Sequence, residues 1–328
     1  MIFCINFLRC LAACLITNAH YTGIYPTDLI ANGGLLGDVL FFAVSGYCLA
    51  NVKYPLSAKG FLQWYGKRIW RIYPVVVIAT AIFMLLGYYS LAEHKLVWWY
   101  VYPTCYHFIA SILVLYIPFF FVMRIDALQR YLLWVMFFTM IVWLALYFFI
   151  YDKSYYHIDV VREPMIRFLF LESLFLGAWF RLNDSTLRNR FVPWHCLLVG
   201  GLLVVYFASK LLFVRHASLA TWQFLNQLAL FALLFFVFRI FIGLDEKMEH
   251  LPHSIKVGIN FISQVTLEIY VVQYVLIGVV RDFGLPFPVN WIALTAIILI
   301  AASLLHELSH LIHVGGNWLA DKLSHKHF

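Results

Sequence analysis

Residues 131–150 read YLLWVMFFTMIVWLALYFFI, twenty consecutive residues without a charge. At 1.5 Å per residue a helix of that length rises about 30 Å, the thickness of the hydrocarbon core of a bilayer. Apolar runs of the same kind recur near 3–20, 34–51, 73–91, 107–123, 166–181, 195–214, 220–242, 262–281 and 289–313. The pattern predicts an all-α polytopic membrane protein with about ten transmembrane helices, organised as a single domain over 1–328. Composition agrees. Of 328 residues, 64% are apolar and 12% are Asp, Glu, Lys or Arg, about half the charged share of a soluble domain. Too little polar surface exists to face water all round, so lipid is the main solvent. The first run is unlike a signal peptide: it has no basic segment ahead of it, holds Arg9 within it, and precedes no small-residue cleavage site.

Orientation follows from the positive charges between the runs, because Lys and Arg resist translocation. Alternate connections carry Lys53, Lys59, Lys67, Arg68 and Arg71, then Arg124 and Arg130, then Arg181, Arg188 and Arg190, then Arg239, Lys247 and Lys256, and finally Lys322 and Lys326. The opposite set holds Lys95, Lys153, Arg162, Arg167, Lys210, Arg215 and Arg281. Fifteen against seven predicts that both termini are cytoplasmic. The net charge of +7 is mostly this topology signal and does not point to nucleic acid. The six cysteines, Cys4, Cys10, Cys14, Cys48, Cys105 and Cys196, form no CxxC pair and read as small packing residues.

Ionisable side chains within the runs are costly, and each needs a partner or a task. Arg9 and His20 are eleven residues apart, three helical turns plus about 20°, so they share one face about 16 Å apart in depth. Arg9 falls in the inner half of the bilayer and His20 near its outer end. Snorkelling of Arg9 to headgroups and a helix-ending role for His20 are the plain alternatives. Asp38 enters the second run at a depth similar to that of His20, where a carboxylate can fix an imidazole tautomer; the helix macrodipole explains it equally simply. Ser45 lies seven residues on, on the same face, and with Gly46 reads first as a small residue for close helix packing.

Arg68 and Arg71 flank Ile69-Trp70 and precede Ile72-Tyr73-Pro74. If helical, their guanidiniums share a face and are spaced to grip a phosphate, although anchoring to the cytoplasmic surface accounts for them as well. Later runs carry Glu172, Glu268 and Gln273. Glu268 lies at the depth of Arg9, and the two are expected to pair across helices. His306-Glu307-Leu308-Ser309-His310 matches the HExxH pattern of zinc peptidases, which raises the remote alternative of an intramembrane metalloprotease. No persuasive third ligand accompanies it, its position suits contact with headgroups and water, and no metal site is expected.

Several separated motifs together resemble the acyltransferase 3 family of multi-pass membrane enzymes. They are Leu8-Arg9, ten residues and His20; Gly37-Asp38-Val39-Leu40-Phe41-Phe42 through Ser45-Gly46-Tyr47; Arg68-Ile69-Trp70-Arg71-Ile72-Tyr73-Pro74; Phe175-Leu176-Gly177; and Thr266-Leu267-Glu268-Ile269-Tyr270-Val271-Val272-Gln273. The resemblance implies a ten-helix transferase of the bacterial cytoplasmic membrane. Such an enzyme uses cytoplasmic acyl-CoA, commonly acetyl-CoA, as a co-substrate with no bound cofactor. Its acceptor is a hydroxyl of a carbohydrate or glycolipid at or beyond the outer face. The resemblance makes His20 the catalytic base, Arg9 its companion, and Arg68 and Arg71 the contacts of the coenzyme A phosphates; Asp38 is expected beside them as the catalytic carboxylate that orients His20, and Ser45, Glu268 and Gln273 are expected in supporting places. Gln273 stands where many relatives carry His. The rival from another class is a transporter or flippase for a lipid-linked sugar, since buried charges also line transport paths; the lack of an inverted repeat and of broken central helices speaks against it.

Overall fold

The ten apolar runs fold into eleven principal helices: α1 (Phe3–His20), α2 (Gly34–Leu49), α3 (Ala58–Leu85), α4 (His107–Arg124), α5 (Leu132–Phe149), α6 (Ile166–Leu182), α7 (Trp194–Arg215), α8 (Phe224–Gly243), α9 (His253–Gln264), α10 (Thr266–Asp282) and α11 (Val289–Ser324). The computed structural model describes residues 2–103, 106–160 and 164–324. Cys105, Arg162 and Lys326, used in the reading above, lie outside the described residues. No strand occurs among the described residues.

Not all of the ten expected crossings are made by helices of full spanning length. Seven helices, α1, α3, α4, α5, α7, α8 and α11, are long and apolar enough to cross a bilayer, or eight spans when α9 and α10 are taken as one. The reasons are local. Helix α2 has 16 residues, a rise of about 24 Å against a core of about 30 Å. Helix α6 has 17 residues and carries Arg167, Glu172 and Arg181. The ninth run is broken at Val265, where α9 and α10 meet at 72°. Helix α3 also begins fifteen residues ahead of its apolar run, because Ser57 caps it by accepting a hydrogen bond from the Gly60 N–H at 3.0 Å. Arg68 and Arg71 are therefore helical.

Two glycine contacts set the centre of the bundle. A Cβ on Gly46 would lie 1.9 Å from the Leu174 carbonyl oxygen, and one on Gly177 would lie 1.7 Å from that of Ala43. Only glycine at both positions lets the backbones of α2 and α6 touch. Gly37 similarly lets α2 approach Ala12 and Ile16 of α1. Outward-facing Trp134, Phe137 and Phe138 on α5, and Val204 and Val205 on α7, are exposed large apolar side chains. Such a surface suits lipid, not water.

The end of the bundle near Arg9 is tied together by polar contacts. Asp245, 1% exposed, accepts from the Cys4 backbone N–H at 2.8 Å and from the Arg188 Nε at 2.8 Å. The carboxylate thereby satisfies an orphan donor at the positive end of α1. Beside it, the Tyr47 hydroxyl donates to Asp184 at 2.8 Å, linking the C-terminus of α2 to the turn after α6.

Candidate active site

Arg9 of α1 and Arg68 and Arg71 of α3 line one partly open cavity of about 280 Å³. Ser45 of α2, Glu268 of α10 and His306 of α11 line it too. Arg68 stands over the Trp64 ring, 5.5 Å from its centroid, with its Nε buried and without a hydrogen-bond partner. Arg9 reaches the Cys48 sulfur at 3.5 Å. Among the described residues no carboxylate lies within ion-pair distance of any of these three guanidiniums. Three cations share a cavity in which, among the described residues, the one lining carboxylate, Glu268, is bonded to none of them. The electrostatic conclusion is a site for an anion.

Glu268 does not take the partner that depth alone suggests. It is 4% exposed, and His306 Nδ1 donates to its Oε1 at 2.8 Å. This correction also accounts for the HExxH pattern. One of its histidines is held by a carboxylate from another helix, and among the described residues no group of three or more His, Cys, Asp or Glu stands where it would hold a metal ion. His310 and His313 line the same cavity. His313 bridges the carbonyls of Ser309, at 2.7 Å, and Trp70, at 2.9 Å, and so ties α11 to the segment of α3 that carries Arg71. Sequence reading placed His306 and His310 among headgroups. The available signal was a repeat of histidines at helical spacing facing the depth of Glu268.

His20 lies outside this cavity. Its ring packs against Tyr274 of α10, with centroids 4.7 Å apart. A narrow slot of about 10 Å³, room for no more than a water molecule, adjoins the cavity: Phe41, Phe108, Thr266 and Leu267 line both, Ala13, Ile16 and Thr17 of α1 add to the slot, and His20 lines neither. The Arg9 face of α1 is a track about 16 Å long from the cations to the imidazole. Among the described residues no hydrogen bond or ion pair joins Asp38 to His20. Gly37, the neighbour of Asp38, faces α1, and one residue later the helix has turned by about 100°.

Ser45 lines the cavity while Gly46 makes the packing contact with α6. Gln273 is fully buried, and neither polar atom of its side chain has a hydrogen-bond partner among the described residues. It does not line the cavity of the arginines. Glu172 is held by Thr139 of α5, outside the site.

A helical membrane bundle with a cation-lined cavity, and a histidine farther along the helix that carries one of the cations, defines a class of protein that takes up an anionic substrate within its membrane domain. Residues 2–307 match the acyltransferase 3 family model, described as an acyltransferase domain. The chain belongs to that family and is a membrane acyltransferase. Comparison with curated proteins and with solved structures gave no match.

Proposed function

We propose that this chain is an O-acyltransferase of the bacterial cytoplasmic membrane. It moves an acyl group, acetyl in the simplest case, from cytoplasmic acyl-CoA to a hydroxyl of a surface or exported carbohydrate. The observation that carries this reading is the convergence of Arg9, Arg68 and Arg71 on one cavity without a carboxylate partner. The phosphates of coenzyme A are the counter-charge. With both termini cytoplasmic and ten crossings of the membrane, the short helices included, the arginines fall on the donor side and His20 on the acceptor side.

In this mechanism the pantetheine arm runs along the Arg9–His20 face of α1, a rise of about 16 Å, and the side chains that close the slot of about 10 Å³ must part to admit it. His20 removes the acceptor hydroxyl proton as the oxygen attacks the thioester carbonyl. The new C–O bond forms, the C–S bond breaks, and the thiolate leaving with coenzyme A takes up the proton. Arg9, three turns from His20, positions the donor and does not act at the reacting carbonyl. His306, fixed by Glu268, offers its Nε2 to the donor within the cavity. His20 needs no carboxylate from α2 in this arrangement.

The test is turnover by purified protein in nanodiscs with acetyl-CoA and candidate acceptors. Coenzyme A release that vanishes in His20→Ala supports the reading. No release with any acceptor, together with unchanged surface glycans in cells lacking the protein, overturns it. One observation favours the transporter alternative: the 72° break between α9 and α10 places Glu268 just past an interrupted helix, as in transporter binding sites. Vesicle uptake of a lipid-linked sugar without coenzyme A release is the outcome that would select it.

A further inference from the structure

A second cavity, of about 390 Å³, opens between α1 and α11. Its size lies in the range of small-molecule sites. Its lining changes along the helices. Toward the middle of α1 it is hydrocarbon: Leu11, Leu15, Ile262 and Ile298. Toward the His20 end it is aromatic and polar: Asn18, Tyr25, Trp291 and Thr295. No charged side chain lines it.

The polar rim is held in place by its own hydrogen bonds. The Tyr25 hydroxyl donates to Asn18 Oδ1 at 2.6 Å, and the Trp291 Nε1–H donates to the Tyr25 hydroxyl at 3.1 Å. The Asn18 amide is anchored in turn on the carbonyls of Ile30 and Asn32. The same helix α11 exposes Ile292, Ile297, Ile300 and Leu304, side chains suited to lipid. The cavity also borders the slot of about 10 Å³ beside the arginine site. Ala13, Thr17 and Ile269 line both this cavity and the slot, and Thr17 is one helical turn from His20.

We infer that this cavity seats the acyl acceptor as a neutral glycolipid, with its hydrocarbon chain between α1 and α11 and its sugar headgroup beneath Tyr25 and Trp291. The inference rests on the acyltransferase reading above and names the acceptor class. An amphiphile matches a lining that is apolar below and aromatic with hydrogen-bonding groups above, as Tyr and Trp serve where one end is dry and the other wet. A charged headgroup would find no counter-ion in it. The headgroup hydroxyl meets the thioester across the Ala13–Thr17 ridge and gives its proton to His20, the acyl carbon exchanging sulfur for that oxygen.

The experiment uses the full chain in nanodiscs that contain monoglucosyl diacylglycerol or, separately, phosphatidylglycerol, supplied with radiolabelled acetyl-CoA. Label is expected in the glucolipid and not in phosphatidylglycerol. Leu299→Trp and Ile298→Trp, which fill the cavity, are expected to lower glucolipid acylation by about tenfold while acetyl-CoA affinity stays unchanged. A glucolipid with a diazirine in its acyl chain is expected to label residues 11–18 and 291–299. Acylation of a water-soluble glucoside but not of the glucolipid overturns the inference and leaves the acyltransferase reading standing. Equal labelling of α5 and α7, or loss of acetyl-CoA affinity in the filled variants, overturns it too. Absence of coenzyme A release under every condition is the failure of the acyltransferase reading itself.

Discussion

Glu268 and His306 meet across α10 and α11 at 2.8 Å, inside the cavity that also holds three arginines without carboxylate partners. The carboxylate is thereby withheld from the guanidiniums. It orients an imidazole and leaves the positive charge of Arg9, Arg68 and Arg71 for a ligand. This relationship leads to the first prediction. Glu268→Gln and His306→Gln are each expected to raise the KM for acyl-CoA, and the double variant to cost little more than either single one. Residues that act as a pair show coupling of about 0.5–3 kcal/mol. Steady-state kinetics of the full cycle measure it, and strictly additive losses would show that the two side chains work separately.

Arg68→Ala and Arg71→Ala are expected to weaken acyl-CoA binding by about tenfold or more each, the scale of about 1.5–3 kcal/mol for a hydrogen bond to a charged group. Dephospho-coenzyme A, which lacks one phosphate, should lose less affinity in at least one of the variants than coenzyme A does. Titration calorimetry in detergent distinguishes this from anchoring at the membrane surface, for which affinity would be unchanged.

Gly177→Ala places a methyl group against the Ala43 carbonyl, 1.7 Å from its oxygen if nothing moves. The helices α2 and α6 must separate, at a cost of about 1–3 kcal/mol or more. A lowered thermal midpoint is the expected result. Gly66→Ala on α3 is the matched comparison, because nothing lies within 4 Å of its Cβ position; there the midpoint should hold or rise, since alanine is the better helix former. Equal midpoints for the two variants would refute the close contact.

Asp245→Ala removes the acceptor for the Cys4 N–H and the partner of Arg188. Loss of a helix cap costs about 0.5–2 kcal/mol. Stability should fall while the KM for acyl-CoA stays near that of the parent. Asp245→Asn keeps an acceptor for the cap without the charge and should fall between. A changed KM with unchanged stability would place Asp245 in the site instead.

Much of the helical architecture was legible in residue order alone. Runs such as 131–150 have no polar group to offer water, so their backbones must satisfy themselves as helices in lipid. Spacing along one helix was equally readable. Arg9 and His20 share a face because eleven residues close three turns, and Arg68 and Arg71 share one because three residues nearly close a turn. The same arithmetic separated the depth of the cations from that of the imidazole.

Which helix stands opposite was not readable, because periodicity fixes depth and azimuth within one helix and says nothing of its neighbour. Arg9, Glu268 and His306 share a depth, and only the packing of α10 against α11 decided that Glu268 takes His306. Asp38 and His20 share a depth too, yet Gly37 is the residue turned to α1, so Asp38 faces elsewhere. The break at Val265 lies within an apolar run and carries neither proline nor glycine; it became visible only as a 72° angle. The residues determined that this chain lives in lipid with charges at two depths. Tertiary packing decided which of those charges are paired and which are left for a substrate.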